Sequence, residues 1–492
     1  MAAFGLALLA FVGVALIGTG LPAYAVLVFA AVLGAVAAVA SGSVPLALLG
    51  TLAGRLINLF ESDLLQALPL YVLMGALLNR LTVAPAVFRT LRAALPRRPG
   101  TPVMAGLGLG ALLGPMSGSV GASVLALARA VEPSLQAAGL PAPLRHATIA
   151  VASTLGVVVP PSLVLILLGD AMLSAHTFAV NATGRMDRVI NTQDVLRAAI
   201  VPAGVFLLLS LVAGWFSANS TADVKEADCE PAKWSDVALT VATVSFLVLL
   251  LGGVAAGYVF AVEGAATGAF ILMTVGLLMR QLNAKTLGPM LRESMATTGT
   301  LFAPLLAATT FTLVLRLLGT DKLVERWVTA LPGGDIAVTG IILGAIFVAA
   351  FVLDAFEIIF VAVPILIPSL LIRVSDAVWV STLVLLTLQT SFLLPPVGYA
   401  LMMTRGVLGS RVPGFAFARA LAPFLVAQIL VLLLTLCFPR LVHLLEPANA
   451  HSRSQATPLT KDDVEQRLRE MLPAPAPPSI PAFGPPPDPG GK

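Results

Sequence analysis

The sequence contains few charged residues. Lys, Arg, Asp and Glu make up 11% of the 492 residues, whereas 58% are hydrophobic and the mean hydropathy is +0.97. A soluble domain of this length could not bury so much apolar surface, so lipid must solvate a large part of the chain. No charge precedes Arg55. The first apolar segment therefore lacks the basic region of a cleavable signal peptide, and we expect it to be a membrane helix.

Cysteine and histidine are also scarce. The two cysteines, Cys229 and Cys437, lie far apart in sequence, which argues against a disulfide framework. No Asp-rich or His/Cys metal-binding motif occurs, and no histidine falls within a span near the helix breaks described below. A serine hydrolase would need such a base, so the sequence argues against an enzyme. The net charge of +4, with arginines placed beside apolar spans, is typical of a membrane protein and does not favour a nucleic-acid partner.

Long stretches without charge predict the membrane spans, since a helix needs about 20 residues to cross the hydrocarbon. These stretches are 4–20, 22–40, 64–79, 101–128, 147–169, 198–216, 237–262, 264–279, 296–315, 338–353, 358–372, 377–404 and 420–439. Two amphipathic stretches, 46–62 and 281–295, predict helices that lie along the membrane interface. The Pro-rich segment 446–492 predicts a disordered tail.

Prolines recur at one spacing, which indicates an internal duplication. The pairs separated by 235 residues are Pro69 and Pro304, Pro133 and Pro368, and the dipeptides Pro160-Pro161 and Pro395-Pro396. Gly110 and Gly344 fall within one residue of the same offset. A duplication of this kind is typical of secondary transporters.

The charges of two corresponding loops predict that the copies are inverted. Loop 80–100 carries five arginines and no acid, whereas loop 315–335 carries equal numbers of basic and acidic residues. Arginine-rich loops remain in the cytoplasm, while balanced loops are free to cross the membrane. We therefore expect the copies to face opposite sides, with the N-terminus in the periplasm.

Each copy also contains two predicted helix breaks at membrane depth. In the first copy they are 114–119, with the Ser117-Gly118-Ser119 turn, and 156–162, with a double proline. Proline removes a backbone donor, and the freed carbonyls are tolerated only when they are buried in protein or line a cavity. Carbonyl and serine oxygens suit a small cation, and half-helix N-termini suit an anionic substrate.

The second copy repeats these breaks and adds acids. Asp354 and Glu357 lie in an otherwise apolar run, and the second double proline follows at 395–396. Ionisable groups in such runs are costly and usually functional. We expect a functional role for Asp354, while Glu357 could equally be a hydrogen-bonded structural residue.

These motifs resemble those of the large permease, or M-type, subunits of tripartite ATP-independent periplasmic (TRAP) transporters, over residues 3–440. The stretches that carry the resemblance are 20–24, 68–75, 117–119, 156–162, 263–266 and 395–398. Stretches 353–358 and 388–396 resemble the corresponding sequences of one branch of this family, which is named for the transport of mannitol, chloroaromatic compounds or 2-oxo acids. The resemblance implies an all-α polytopic membrane protein, an inverted repeat with two re-entrant hairpins and two broken helices, and an elevator mechanism coupled to Na⁺.

The resemblance also implies site residues. The first Na⁺ site would comprise Ser117, Ser119, Gly156, Val159 and Pro161. The second would comprise Asp354, Thr387, Ser391 and Leu394, although many members have glycine in place of Ser391 and threonine in place of Leu394. The candidate substrate contacts are Ser123, Ser153 and Glu357.

The predicted organisation divides the chain into seven parts. These are first-repeat scaffold helices with an interfacial arm (1–100), the first hairpin and broken helix (101–175), a connecting helix and inter-repeat loop (176–236), second-repeat scaffold helices and arm (237–335), the second hairpin and broken helix (336–410), a last membrane helix (411–445) and the tail (446–492).

The predicted function is Na⁺-coupled import of a small organic acid or polyol-like solute across the bacterial inner membrane. The expected partners are a periplasmic substrate-binding protein and a small four-helix Q-type membrane subunit on a separate chain. The alternative is an elevator-type ion or dicarboxylate transporter or exchanger that acts alone. Dependence of transport on a binding protein would distinguish the tripartite system from a transporter that acts alone. A purely structural or receptor role would not explain why both copies contain matched helix breaks in the bilayer.

The inverted arrangement predicts the accessibility of two loops. With Cys229 and Cys437 replaced, a cysteine introduced at Ala94 should react with an impermeant maleimide only from the cytoplasm, and one at Ala330 only from the periplasm. Labelling of both from one side of oriented vesicles would show parallel copies instead.

Overall fold

The computed structural model describes residues 1–42, 45, 50–96, 98–116, 119–160, 162–185, 188–219, 233–351, 353–395, 398–409 and 412–446. In these residues every regular element is helical. Residues 1–185 and 189–446 form one compact unit. Apart from residue 446, the predicted disordered tail lies outside the described residues.

The first half begins with two helices and an amphipathic arm, and ends with the first hairpin, a broken helix and a connecting helix. Its helices are α1 (Ala2–Thr19), α2 (Ala23–Ala40), α3 (Thr51–Glu61), α4 (Asp63–Arg80), α5 (Val83–Ala94), α6 (Thr101–Leu113), α7 (Val120–Ala130), α8 (Glu132–Ala137), α9 (Ala142–Val158), α10 (Leu163–Thr183) and α11 (Thr192–Asn219). A 3₁₀ turn, Gly114–Met116, follows α6. We call α6 to α8 hairpin 1, and α9 with α10 broken helix 1.

The second half repeats this order. Its helices are α12 (Trp234–Ala256), α13 (Ala261–Leu278), α14 (Ala284–Leu317), α15 (Thr320–Ala330), α16 (Asp335–Ala349), α17 (Ala355–Glu357), α18 (Val363–Arg373), α19 (Ala377–Leu393), α20 (Tyr399–Leu408) and α21 (Gly414–Cys437). A π-helical turn, Ile358–Ala362, joins α17 to α18, and a 3₁₀ turn, Pro439–His443, follows α21. We call α16 to α18 hairpin 2, and α19 with α20 broken helix 2.

The chain is a polytopic membrane protein. Within the described residues, nine helical segments are long and apolar enough to cross a bilayer, or ten when α3 and α4 are joined across their 46° bend. Broken helix 1 counts as one of these segments. The arms of hairpin 1 are too short to cross, because α6 and α7 have 13 and 11 residues and each residue of a helix advances about 1.5 Å.

The number of crossings supports inversion of the two halves. The first half contributes α1, α2, the bent pair α3 and α4, broken helix 1 and α11. With the bent pair counted as one crossing and hairpin 1 taken as re-entrant, these five crossings place the start of α12 on the side of the membrane opposite to the start of α1. The second half therefore runs through the bilayer in the opposite sense to the first.

The element boundaries confirm the duplication. Helices α9 and α19 each have 17 residues, and both their first and last residues are 235 positions apart. The packing is reciprocal as well, since α2 packs against α14 while their counterparts α13 and α4 pack against each other. Two copies that exchange equivalent contacts in this way are related by an approximate two-fold axis.

One predicted boundary is wrong. We expected 281–295 to form an interfacial helix separate from span 296–315, but α14 continues from Ala284 to Leu317 with Pro289 and Pro304 inside it. In the first copy Ser62 is extended and its hydroxyl accepts a hydrogen bond from Leu65 N, which starts a new helix after the arm. The equivalent Thr297 lies inside α14, so the arm and span of the second copy are continuous.

Hairpin 1 packs on broken helix 1 through glycine backbone. A methyl group built on Gly110 would lie 2.8 Å from the Ala152 carbonyl carbon, and one built on Gly156 would lie 2.5 Å from the Gly114 carbonyl. Only glycine permits backbone segments to approach this closely. Gly344, one residue from the position equivalent to Gly110 in hairpin 2, is exposed, and no atom lies within 4 Å of its built methyl group.

A cluster after α21 fixes the start of broken helix 2. Asp376 caps α19 by accepting a hydrogen bond from Trp379 N at 2.9 Å, and its other oxygen lies 2.8 Å from His443 Nε2. His443 Nδ1 lies 2.8 Å from Glu446 Oε1. Asp376, and then Glu446, raise the pKa of His443 to about 9, so the ring is charged at neutral pH. The segment that follows the last span is thereby held to the N-terminus of α19.

Gly110 and Gly344 should respond differently to substitution by alanine. Gly110→Ala should destabilise the protein by about 1–3 kcal/mol because the methyl group meets backbone that cannot move aside. Gly344→Ala should be neutral or stabilising by up to about 1 kcal/mol, since the site is open and alanine favours the helix. Thermal unfolding of both variants in detergent compares them; equal loss in both would refute the asymmetric packing.

Candidate functional site

Broken helix 1 is interrupted because prolines remove its hydrogen bonds. Residue 160 is proline, so the N–H that a continuous helix would offer to the Gly156 carbonyl is missing. Val159 ends α9 in an extended conformation, with φ −76° and ψ 117°. Ser162 closes the gap: its hydroxyl donates to the Val157 carbonyl at 2.7 Å and accepts from Leu165 N at 3.1 Å, which caps α10.

The tip of hairpin 1 meets this break. Ser119 begins α7, where its side chain accepts a hydrogen bond from Ala122 N at 3.2 Å. The backbone of Gly114 lies directly against Gly156. Hairpin tip and helix break therefore form one site, with the N-terminus of α7 pointing toward it.

Four predicted site residues line a single cavity at this junction. They are the proposed ion ligands Ser119 and Gly156 and the proposed substrate contacts Ser123 and Ser153. Ser153 donates its hydroxyl proton to the carbonyl of Ala150 at 2.7 Å, which leaves oxygen lone pairs for another partner. Such oxygens suit a cation. Ser117 and Pro161 lie outside the described residues, and Val159 is at the break but not among the cavity-lining residues.

Broken helix 2 has the same local geometry. Helix α19 ends at Leu393, and Leu394 is extended with φ −85° and ψ 121°, close to the angles of Val159. Thr387 and Ser391 are buried, and their hydroxyls donate to the carbonyls of Leu383 and Leu388 at 2.8 and 2.7 Å. At 100° per residue, Thr387 and Ser391 fall within about 40° of one another on α19, and Leu394 directly follows the end of the helix. Two of the four predicted second-site residues thus share one helix face, and a third lies at the break.

Hairpin 2 supplies the acids. Asp354 immediately precedes α17 and lies 235 residues after Ser119. It is therefore the N-cap residue of the second arm of hairpin 2, as Ser119 is of the second arm of hairpin 1. Buried Glu357 accepts a hydrogen bond from the backbone N–H of Asp354 at 3.0 Å. This bond gives Glu357 a role in starting the helix, beside any contact with substrate. It links Asp354 to Glu357 rather than to Thr387, Ser391 or Leu394.

Apolar residues complete the first cavity and were not among the sequence-based candidates. Val120, Val157, Leu163 and Val164 line it together with the serines. The candidates from sequence were mainly polar and ionisable residues, so these apolar residues were missed. The double-proline break could have indicated Leu163 and Val164, since they form the first turn after it.

Comparison with known proteins identifies the family. The family model of the DctM component of tripartite ATP-independent periplasmic transporters matches residues 4–441. The chain belongs to this family. The branch suggested by the sequence motifs is not among the descriptions of the relatives below.

Several DctM-family relatives are similar over most of this chain. The isethionate TRAP transporter permease protein DctMQ of Oleidesulfovibrio alaskensis is 24% identical over 82% of the chain and 60% of its own length. The sialic acid TRAP transporter permease protein SiaT of Haemophilus influenzae is 23% identical over 79% of the chain and 60% of its own length. The C4-dicarboxylate large permease protein DctM of Pseudomonas aeruginosa is 24% identical over 79% of the chain and 87% of its own length.

A solved structure supports the fold. The YdaH transporter of Alcanivorax borkumensis aligns with a TM-score of 0.58 at 14% identity, over 79% of this chain and 87% of its own. The alignment agrees with an all-helical polytopic architecture and carries no information on substrate.

Proposed function

We propose that this protein is the large permease subunit of a TRAP transporter in the bacterial inner membrane, and that it imports a small organic acid together with Na⁺. The observation that carries the proposal is the first cavity, where Ser119 and Ser153 oxygens meet the broken helix at Gly156. Hard oxygen ligands at a helix break suit a small monovalent cation. Positive helix ends and neutral donors nearby suit an anion.

The relatives support an organic anion as cargo. The names of the similar permeases specify isethionate, sialic acid and C4-dicarboxylates. Each of these compounds is a small polar acid. For this chain we propose an acid from the same chemical class. The motifs around Asp354 and Ser391 indicate 2-oxo acids and chloroaromatic acids as the narrower candidates, and mannitol, a polyol, as the uncharged alternative.

An elevator movement would carry the cargo across the membrane. The two hairpins and two broken helices would move together, while α2, α4, α13 and α14, which pack against each other across the two halves, would stay fixed. A periplasmic binding protein would deliver substrate, and a separate four-helix membrane subunit would complete the scaffold. Asp354, Thr387, Ser391 and Leu394 would hold a second Na⁺.

Uptake into proteoliposomes tests the proposal. The protein, its small membrane subunit and its binding protein should accumulate at least one of radiolabelled isethionate, succinate, pyruvate or mannitol when Na⁺ is higher outside, and fail to do so with choline. Uptake without the binding protein would favour the stand-alone transporter. Absence of Na⁺ dependence would contradict the coupling.

Two variants test the ion sites. Ser119→Ala should raise the Na⁺ concentration for half-maximal uptake several-fold because a ligand is lost, and it should lower the free energy of unfolding by only about 1 kcal/mol, the cost of losing the cap of α7. Asp354→Asn should reduce the maximal rate strongly, because it removes a charge. The controls are Thr329→Ala and Asp335→Asn, both at exposed positions outside the proposed sites. Normal Na⁺ affinity in Ser119→Ala, or normal transport in Asp354→Asn, would remove that residue from its site.

A further inference from the structure

Tyr399 connects the two halves at the site. It is the first residue of α20, directly after the second double-proline break, and α20 packs on α7 of hairpin 1. A methyl group built on Gly121 would lie 3.4 Å from Tyr399 Oη and 3.8 Å from Met403 Sδ. Gly121 stands between Ser119 and Ser123, so the phenol hydroxyl of the second copy reaches the first turn of α7 in the first copy.

The counterpart of Tyr399 in the first copy lines the first cavity. Val164 is 235 residues earlier and borders the space shared by Ser119, Ser153 and Gly156. Because the copies are related by an approximate two-fold axis, the position of Tyr399 is one from which a side chain faces a helix break. The two copies differ here in chemistry, since valine is apolar and tyrosine carries a hydrogen-bonding hydroxyl.

The surroundings of Tyr399 leave its hydroxyl available. The residue is partly exposed, its ring lies 6.1 Å from that of Phe392, and no described residue forms a hydrogen bond with its hydroxyl. The Asp354 carboxylate is near enough to interact with it electrostatically.

We propose that the Tyr399 hydroxyl donates a hydrogen bond to the anionic group, carboxylate or sulfonate, of the transported acid, and that this contact selects for acids over uncharged solutes. The inference rests on the proposed function, because it assumes that an acid enters between hairpin 1 and broken helix 2. In the loaded state, Na⁺ in the second site would offset the negative charge of Asp354, so that the anionic group of the substrate can approach. Tyr399, in the second half of the chain, would then contact the substrate together with the backbone N–H groups at the start of α7, in the first half.

Tyr399→Phe tests this role, because it removes the hydroxyl and keeps the ring. In the proteoliposome assay, with whichever of isethionate, succinate or pyruvate the parent protein transports, KM for the acid should rise about tenfold or more, as expected for loss of a hydrogen bond to a charged group. The Na⁺ concentration for half-maximal uptake and the unfolding temperature should stay unchanged. The control Tyr258→Phe, at a residue that is 89% exposed, should leave KM unchanged.

The outcomes separate the two proposals. An unchanged KM in Tyr399→Phe, with Na⁺-dependent uptake by the parent, would overturn the role of Tyr399 alone. A parallel rise in the Na⁺ requirement would also overturn it, because the residue would then act on the ion site. Absence of acid uptake by the parent would overturn the proposed function and this inference with it.

Discussion

The low polarity of the membrane interior is the main constraint on this structure. When a helix is interrupted there, no water is available to form a hydrogen bond with the peptide carbonyls that lose their helical donors. Pro160 removes the helical donor for the Gly156 carbonyl, and Pro395 removes that for the Ser391 carbonyl, which instead accepts a hydrogen bond from Leu394 N at 3.4 Å. Hairpin 1 covers the first break, where Gly114 packs directly against Gly156. The Ser162 hydroxyl spans the break by donating a hydrogen bond to the Val157 carbonyl. The backbone oxygens that remain at the break, together with serine hydroxyls, are concentrated where solvent is scarce, and this is the property that an ion-coupled carrier needs.

Two-fold symmetry supplies two such breaks, and substitutions between the copies give them different chemistry. Where the first copy has Ser119, the second has Asp354, so one hairpin begins with a neutral cap and the other with an acid. Where the first has Gly156 against Gly114, the second has Ser391, and its hairpin is not locked by the same backbone contact. Differences of this kind allow one ancestral unit to form two unequal sites on one cargo path.

Much of this architecture could be predicted from sequence, since prolines and charges obey local rules. The double prolines located both helix breaks, and the 235-residue offset matches α9 and α19 at both ends. Local rules failed where tertiary packing decides the outcome. Pro289 and Pro304 do not end α14, and the Arg-rich stretch that we interpreted as a loop contains α5. The cavity-lining Val120 was missed because an apolar residue in a membrane protein has no sequence signal of its own that separates a site from lipid-facing surface, whereas Leu163 and Val164 are marked only by the double proline before them.

The most direct test of the account is a cryo-electron microscopy structure of the protein in lipid nanodiscs, determined once in NaCl and once in choline chloride. The account predicts interrupted helices at 159–162 and 394–397 in both maps, with density for an ion between Ser119 and Gly156 only in NaCl. A continuous helix through either double proline, or the same density without Na⁺, would contradict it.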